Sequence, residues 1–139
     1  MEQKKTENET KKEYLQSYRY AVIAETQIKE EIDQLRMDKM FPGLVQDGMP
    51  HGSGGSDLSA YAAKLDELLS DLKDQMDKRI QLRREIVKKI EAMDSETEKA
   101  VLRYRYIHML KWEEIAVKME YSWQHVHRIH GKALSHFKM

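Results

Sequence analysis

Between Ser122 and Met139 the chain has no Asp or Glu, yet it carries Arg128, Lys132 and Lys138 and four histidines, His125, His127, His130 and His136. Such a segment offers cations and donors without competing carboxylates, the charge pattern of a surface that meets phosphates. Set at 100° intervals on a helix, Gln124, His127, Arg128, Gly131 and Ser135 share the face opposite Val126 and Ile129, flanked by Trp123, His125 and Lys132. Gln can take both positions of an adenine edge and Arg both acceptors of a guanine, while His and Lys suit bases or phosphates. Lys132 and Lys138 are read as backbone contacts. Gly131 costs about 1 kcal/mol relative to Ala within a helix, so its place on this face either admits a partner closely or merely weakens the helix.

Other chemistries fit these residues less well. The four histidines lack the i,i+4 pairing around a carboxylate found in HExxH sites, and the chain has no Cys, so structural or DNA-facing histidines are expected rather than a metal site. A reference pKa near 6.5 implies instead that their attraction for a polyanion grows in mild acid. Glu30–Glu31 and Glu113–Glu114 are sequence neighbours on helical stretches and point apart, which is wrong for two-carboxylate catalysis. The Gly-rich stretch lacks the strand before it and the Lys-Ser/Thr pair after it that cradle a phosphate. With no nucleophile constellation, the chain reads as a non-enzyme without a cofactor.

The elements that must position this face are helical. Among 139 residues, 24 Lys+Arg balance 24 Asp+Glu, charged residues make up 35%, and there are only six Gly and two Pro. This composition suits long solvent-exposed helices and argues against an all-β domain. Zero net charge hides an asymmetry, because Ser95–Met139 holds eight Lys/Arg against five Glu. Both prolines and five of the glycines fall in a connector over residues 41–57. Its flanks repeat apolar residues every three or four positions: Tyr14, Tyr18, Ala21, Ile28, Ile32 and Leu35 before it, then Leu58, Tyr61, Leu65, Leu68, Leu72, Leu82, Ile86 and Met93 after it. These spacings predict helices over about 10–40 and 58–93, each roughly 45 Å or more in length, paired as an antiparallel hairpin with Asp57 as a cap. Leu69, Met76 and Ile80 form a second apolar row that the hairpin cannot cover by itself. Either the C-terminal region docks there or two hairpins associate, coiled-coil fashion, into a homo-oligomer, with a dimer favoured.

A restart follows at Ser95, where Glu98 three residues on fits a capping box. A third helix is predicted to about Met109, with Val101, Leu102, Tyr106, Met109 and Leu110 as its apolar side. Trp112, Ile115, Ala116 and Met119 then describe a short fourth helix, with Trp112 as a core anchor. Ser122 caps a last helix with Val126, Ile129, Ala133 and Phe137 inward. Two short helices across a tight turn, the second one basic, make a helix-turn-helix. The expected architecture is all-α, with residues 1–94 as a helical hairpin for assembly and 95–139 as a DNA-binding helix-turn-helix domain. The opening MEQKKTENETKKE lacks the apolar core of a signal peptide, and no stretch nears the ~18 apolar residues of a membrane span. A cytoplasmic protein without membrane contact is expected.

The stretch VLRYRYIHMLKWEEIAVKMEYSWQHVHRIHGKAL resembles the DNA-binding region 4 of sigma-70-type factors. That pattern has an Arg/Leu-rich helix, a W/L-E-E-I-A helix and a recognition helix of the form V-x-x-I-x-x-K/R-A-L, here Val126, Ile129, Lys132, Ala133 and Leu134. With the MPHGSGGSD loop and the charged second helix, the chain looks like a family of small phage- and prophage-encoded proteins of unknown function from Gram-positive bacteria. At its C-terminus it is similar to the ArpU and RinA group of phage late transcription activators. The resemblance implies a transcription regulator in a bacterial host cell that binds double-stranded promoter DNA through Trp123, Gln124, His125, His127, Arg128 and Lys132, and it leaves RNA polymerase as a further partner. Lys111 stands where relatives tend to have a Ser or Thr cap, and histidines replace the usual arginines around His125 and His127. Two other readings are a protein-interaction module that contacts RNA polymerase without reading DNA, and a DNA-packaging protein akin to a small terminase subunit.

Overall fold

The computed structural model describes residues 6–40 and 55–139, and every described element is helical. Helix α1 runs Glu7–Met40 and α2 Gly55–Glu91, followed by α3 Glu96–Leu102, α4 Trp112–Met119 and α5 Trp123–His136. The 34 and 37 residues of α1 and α2 correspond to roughly 50 and 55 Å. Their antiparallel pairing shows at both ends. Tyr14 near the start of α1 donates to Glu85 Oε1 of α2 at 2.8 Å, and Lys39 near the end of α1 lies 5.7 Å from the Tyr61 ring centre. Most of the Gly/Pro connector lies outside the described residues.

Two helix starts differ from the sequence expectation. Helix α1 begins three residues earlier than Thr10, because Thr6 and Glu9 form a complete capping box: Glu9 N–H donates to Thr6 Oγ1 at 3.2 Å and Thr6 N–H to Glu9 Oε2 at 3.0 Å. Helix α2 begins at Gly55, so Asp57 is not its cap. Asp57 sits inside the first turn, where a carboxylate complements the positive end of the helix dipole.

By its contacts the chain divides into two compact units, one made of residues up to Ala21 together with Arg79–Met139, the other of Val22–Lys78. In the second unit Ile32 and Leu68 are buried, while Met37, Met40, Leu58 and Leu69 are exposed. In the first unit a core of Val101, Ile115, Val126 and Ile129 joins α3, α4 and α5, with Tyr104, Leu110, Trp112, Ala116 and Met119 packed around it. Leu15, Ile86, Ile90 and Phe137 are fully buried in the same unit, so the start of α1 and the end of α2 belong to the body that holds α5.

The third helix stops being α-helical at Leu102 rather than near Met109. Residues Arg103–Ile107 widen into a π-turn in which His108 N–H reaches back five residues to Arg103 O at 2.9 Å. Met109 then takes a left-handed conformation (φ 57°), and Arg105 Nη1 donates to the Leu110 carbonyl at 3.0 Å. Side chains from outside the helix hold this widened turn. Arg105 stacks over Trp112 at 4.5 Å, and the Tyr106 hydroxyl meets His130 of α5 at 2.7 Å. Single-turn π-bulges of this kind are favoured where such extra contacts offset the poorer local hydrogen bonding.

Candidate nucleic-acid interface

Helix α4 opens at Lys111, whose side chain makes no capping bond, and closes on Glu120 in the left-handed region (φ 57°). Glu120 N–H donates to Val117 O at 3.3 Å and Tyr121 N–H to Ala116 O at 3.1 Å, which together form a Schellman motif without the usual glycine. The reversed backbone leads directly to Ser122, whose Oγ accepts from His125 N–H at 3.1 Å and starts α5. The two helices are therefore joined by a tight, fully hydrogen-bonded turn.

At the start of α3, Ser95 Oγ accepts from Glu98 N–H at 3.2 Å, half of the expected capping box. The other half is absent, because the buried Glu98 carboxylate turns to His136 Nδ1 of α5, 2.8 and 3.0 Å away. Lys11 of α1 closes the same end of α5, its Nζ donating to Leu134 O at 2.9 Å and Ser135 O at 3.2 Å. Asn8 Nδ2 donates to Ser135 Oγ at 3.3 Å. Helix α5 is thus held at its C-terminus by α1 and α3 and along its inner face by the core. A cleft of about 850 Å³ opens beside this end, but Lys11, Glu98 and His136 on its wall are all engaged with one another's elements.

Val126, Ile129 and Ala133 of α5 and Phe137 just past its end are buried, as their spacing predicts, and His130 and Leu134 are buried beside them. Gln124, Arg128, Gly131, Lys132 and Ser135 are exposed on the opposite side. A Cβ added at Gly131 would meet nothing within 4 Å, so no contact within the chain requires glycine there.

The six residues singled out from the sequence divide in their surroundings. Gln124, Arg128 and Lys132 are exposed, and Trp123 is half exposed at 50%. His125 leans edge-on against Tyr121, ring centres 4.6 Å apart. His127 stands apart from the others: its ring lies between Trp123 and Trp112, at 4.1 and 4.5 Å, with Nε2 buried and without a hydrogen-bond partner. It braces Trp123 against the body of the domain. Trp112 does pack on the core, as expected, and also forms the floor of this aromatic column, with His130 at 4.6 Å.

His130 is one of the four histidines of α5. Burial, then the charges of Lys12, His127 and Arg105, push its pKa down from 6.5 to about 4. Burial likewise pushes the Tyr106 phenol up to about 12, so a neutral tyrosine donates to a neutral imidazole. The clue to this pair was positional, since His130 falls within 40° of Val126 on the helical wheel, but its partner 24 residues away left no sequence signal. Among the described residues no group of three or more His, Asp or Glu converges as metal ligands would, and no helix is long and apolar enough to cross a membrane.

Comparison with protein families matches residues 95–138 to the model for sigma-70, region 4. Neither curated proteins nor solved structures return a match to the chain. The matched segment covers the π-turn, α4, the turn and α5. The C-terminal part of this all-α chain is thus a helix-turn-helix similar to sigma-70 region 4.

Proposed function

We propose that the protein is a phage- or prophage-type transcription regulator whose α5 enters the major groove of promoter DNA. The observation that carries this reading is the division of α5 into a buried apolar side and an exposed, acid-free side bearing Gln124, Arg128 and Lys132. In this reading Arg128 and Gln124 read base edges, Lys132 and His125 hold phosphates, and Trp123, braced by His127, meets the groove wall. Gly131 lets the backbone of α5 approach the duplex closely. Two copies associate through apolar side chains left exposed on α2, such as Leu69, 41% exposed. The two reading heads then address half-sites separated by whole turns of about 10 bp.

Selection of bound sequences from a random duplex library tests this. The expected product is an inverted repeat with that spacing. Arg128→Ala and Gln124→Ala should each relax preference at one base position by about 1–3 kcal/mol, while Lys132→Ala weakens all duplexes alike. Equal losses on selected and random duplexes for all three variants overturn the assignment. A second reading, contact with RNA polymerase, is favoured by the apolar groups exposed around the turn, Val117 at 78% and Tyr121 at 39%. Capture of polymerase by the wild-type chain but not by Val117→Asp tests it.

A further inference from the structure

Beside the exposed side of α5 stands a second basic face, contributed by α1. Asn8, Lys12, Gln16 and Arg19 follow at spacings of four, four and three residues and so line one side of α1. Asn8 is tied to Ser135, on the exposed line of α5, and Lys11 fastens the same turn to the Leu134 and Ser135 carbonyls. One turn further along α1, Lys12 is near enough to His130 for its charge to be felt there. Beyond it, Gln16 and Arg19 border a small depression together with Arg105, Tyr106 and Met109. The face therefore runs from the end of α5 across to the π-turn, within one compact unit.

Two features mark this face as one that meets an extended anion. Lys12 and Arg19 are both exposed, and among the described residues no carboxylate pairs with either. Salt bridges are otherwise common on α1, as in Lys11–Glu7 and Lys29–Glu25, so the lack of partners here is local. The second feature is the charge of α5 itself. Lys132 supplies a cation to one flank of its exposed side, whereas the opposite flank, with Trp123 and His127, carries no Lys or Arg. A helix lying in a major groove has a phosphate strand on each side. The missing cations on one side are those that α1 provides.

We propose that Lys12 and Arg19 of α1, with Arg105 beside them, bind the phosphodiester backbone on the α1 side of the duplex that α5 reads. The interface then includes residues more than 90 positions upstream of α4. This rests on α5 reading duplex DNA, and the test separates the two ideas. Fluorescence anisotropy with a selected and a random duplex, from 50 to 200 mM salt, compares wild type with Lys12→Ala/Arg19→Ala. Each phosphate contact removed lowers the slope of log affinity against log salt by about 0.9, so the double variant should lose nearly two units on both duplexes alike. Lys12→Gln alone, expected to lose about one unit, serves if the double variant unfolds. Failure of the wild-type chain to bind either duplex at 50 mM overturns both proposals. Wild-type binding with an unchanged slope in the variants overturns this one alone, as does loss of polymerase capture without a change in slope.

Discussion

Four histidines in one basic helix suggest a surface that gains charge as the pH falls, yet their surroundings make them unequal. His130 is buried against Tyr106 and stays neutral until about pH 4, whereas in the unfolded chain it takes a proton near 6.5. Between these values acid favours the unfolded chain. The stabilisation from a neutral His130 is therefore complete above pH 6.5 and is lost as the pH falls toward 4. From pH 7 to pH 5 this amounts to about 2 kcal/mol, at 1.36 kcal/mol per unit of proton affinity. Urea unfolding at the two pH values should show a correspondingly larger loss in wild type than in His130→Gln, and equal losses would refute the assignment. Stronger DNA binding in mild acid, implied by treating all four as surface groups, thus competes with a loss of fold stability from one of them.

At the scale of elements, α4 starts at Lys111 without a side-chain cap and ends on a non-glycine residue in the left-handed region. That conformation, at Glu120, costs an L-residue about 1 kcal/mol. Glu120→Gly should remove this strain and raise the melting temperature by roughly 2–4 °C, net of the entropy glycine adds to the unfolded chain. A fall in melting temperature would mean that the Glu120 carboxylate has a stabilising role beyond its backbone angle. The apolar stripes of α4 and α5 and the Ser122 cap were legible because periodicity and capping are local, and so were the two long helices. The end of α3 was not legible. Its π-turn depends on Arg105 reaching Leu110 and Trp112 and on Tyr106 reaching His130, and none of these contacts leaves a mark in helical periodicity. Likewise Ser95-x-x-Glu98 matches the capping-box pattern, but the carboxylate found a stronger partner in His136. The exposed side of α5 was readable from its lack of acids, whereas the withdrawal of His127 between two tryptophans was not, because Trp112 is on another helix.

For the molecule as a whole, the compact unit that holds α5 also includes the first turns of α1 and the last turns of α2. The sequence places a natural boundary at Ser95, where a new helix is capped. The contacts that cross it include a tyrosine ring against Phe137, 6.2 Å between centres, and an ammonium on the last carbonyls of α5. Only the fold brings these residues together. Lys11→Met should cost about 1–3 kcal/mol, since it leaves buried carbonyls without a donor, and a fragment of residues 95–139 should be markedly less helical by circular dichroism than the same residues in the intact chain. A fragment that melts cooperatively with full helicity would establish the matched region as self-sufficient and reduce α1 to an accessory.

The brace between Lys11 and the Leu134 carbonyl also sets a schedule. The two partners are separated by 123 positions, and a ribosome adding about 5–20 residues each second delivers the second on the order of ten seconds after the first. During that interval Lys11 and Tyr14 lack the partners they have in the finished protein, the α5 carbonyls and the Phe137 ring. A nascent chain therefore carries α1 without these partners and completes the unit that holds α5 only as synthesis of α5 ends.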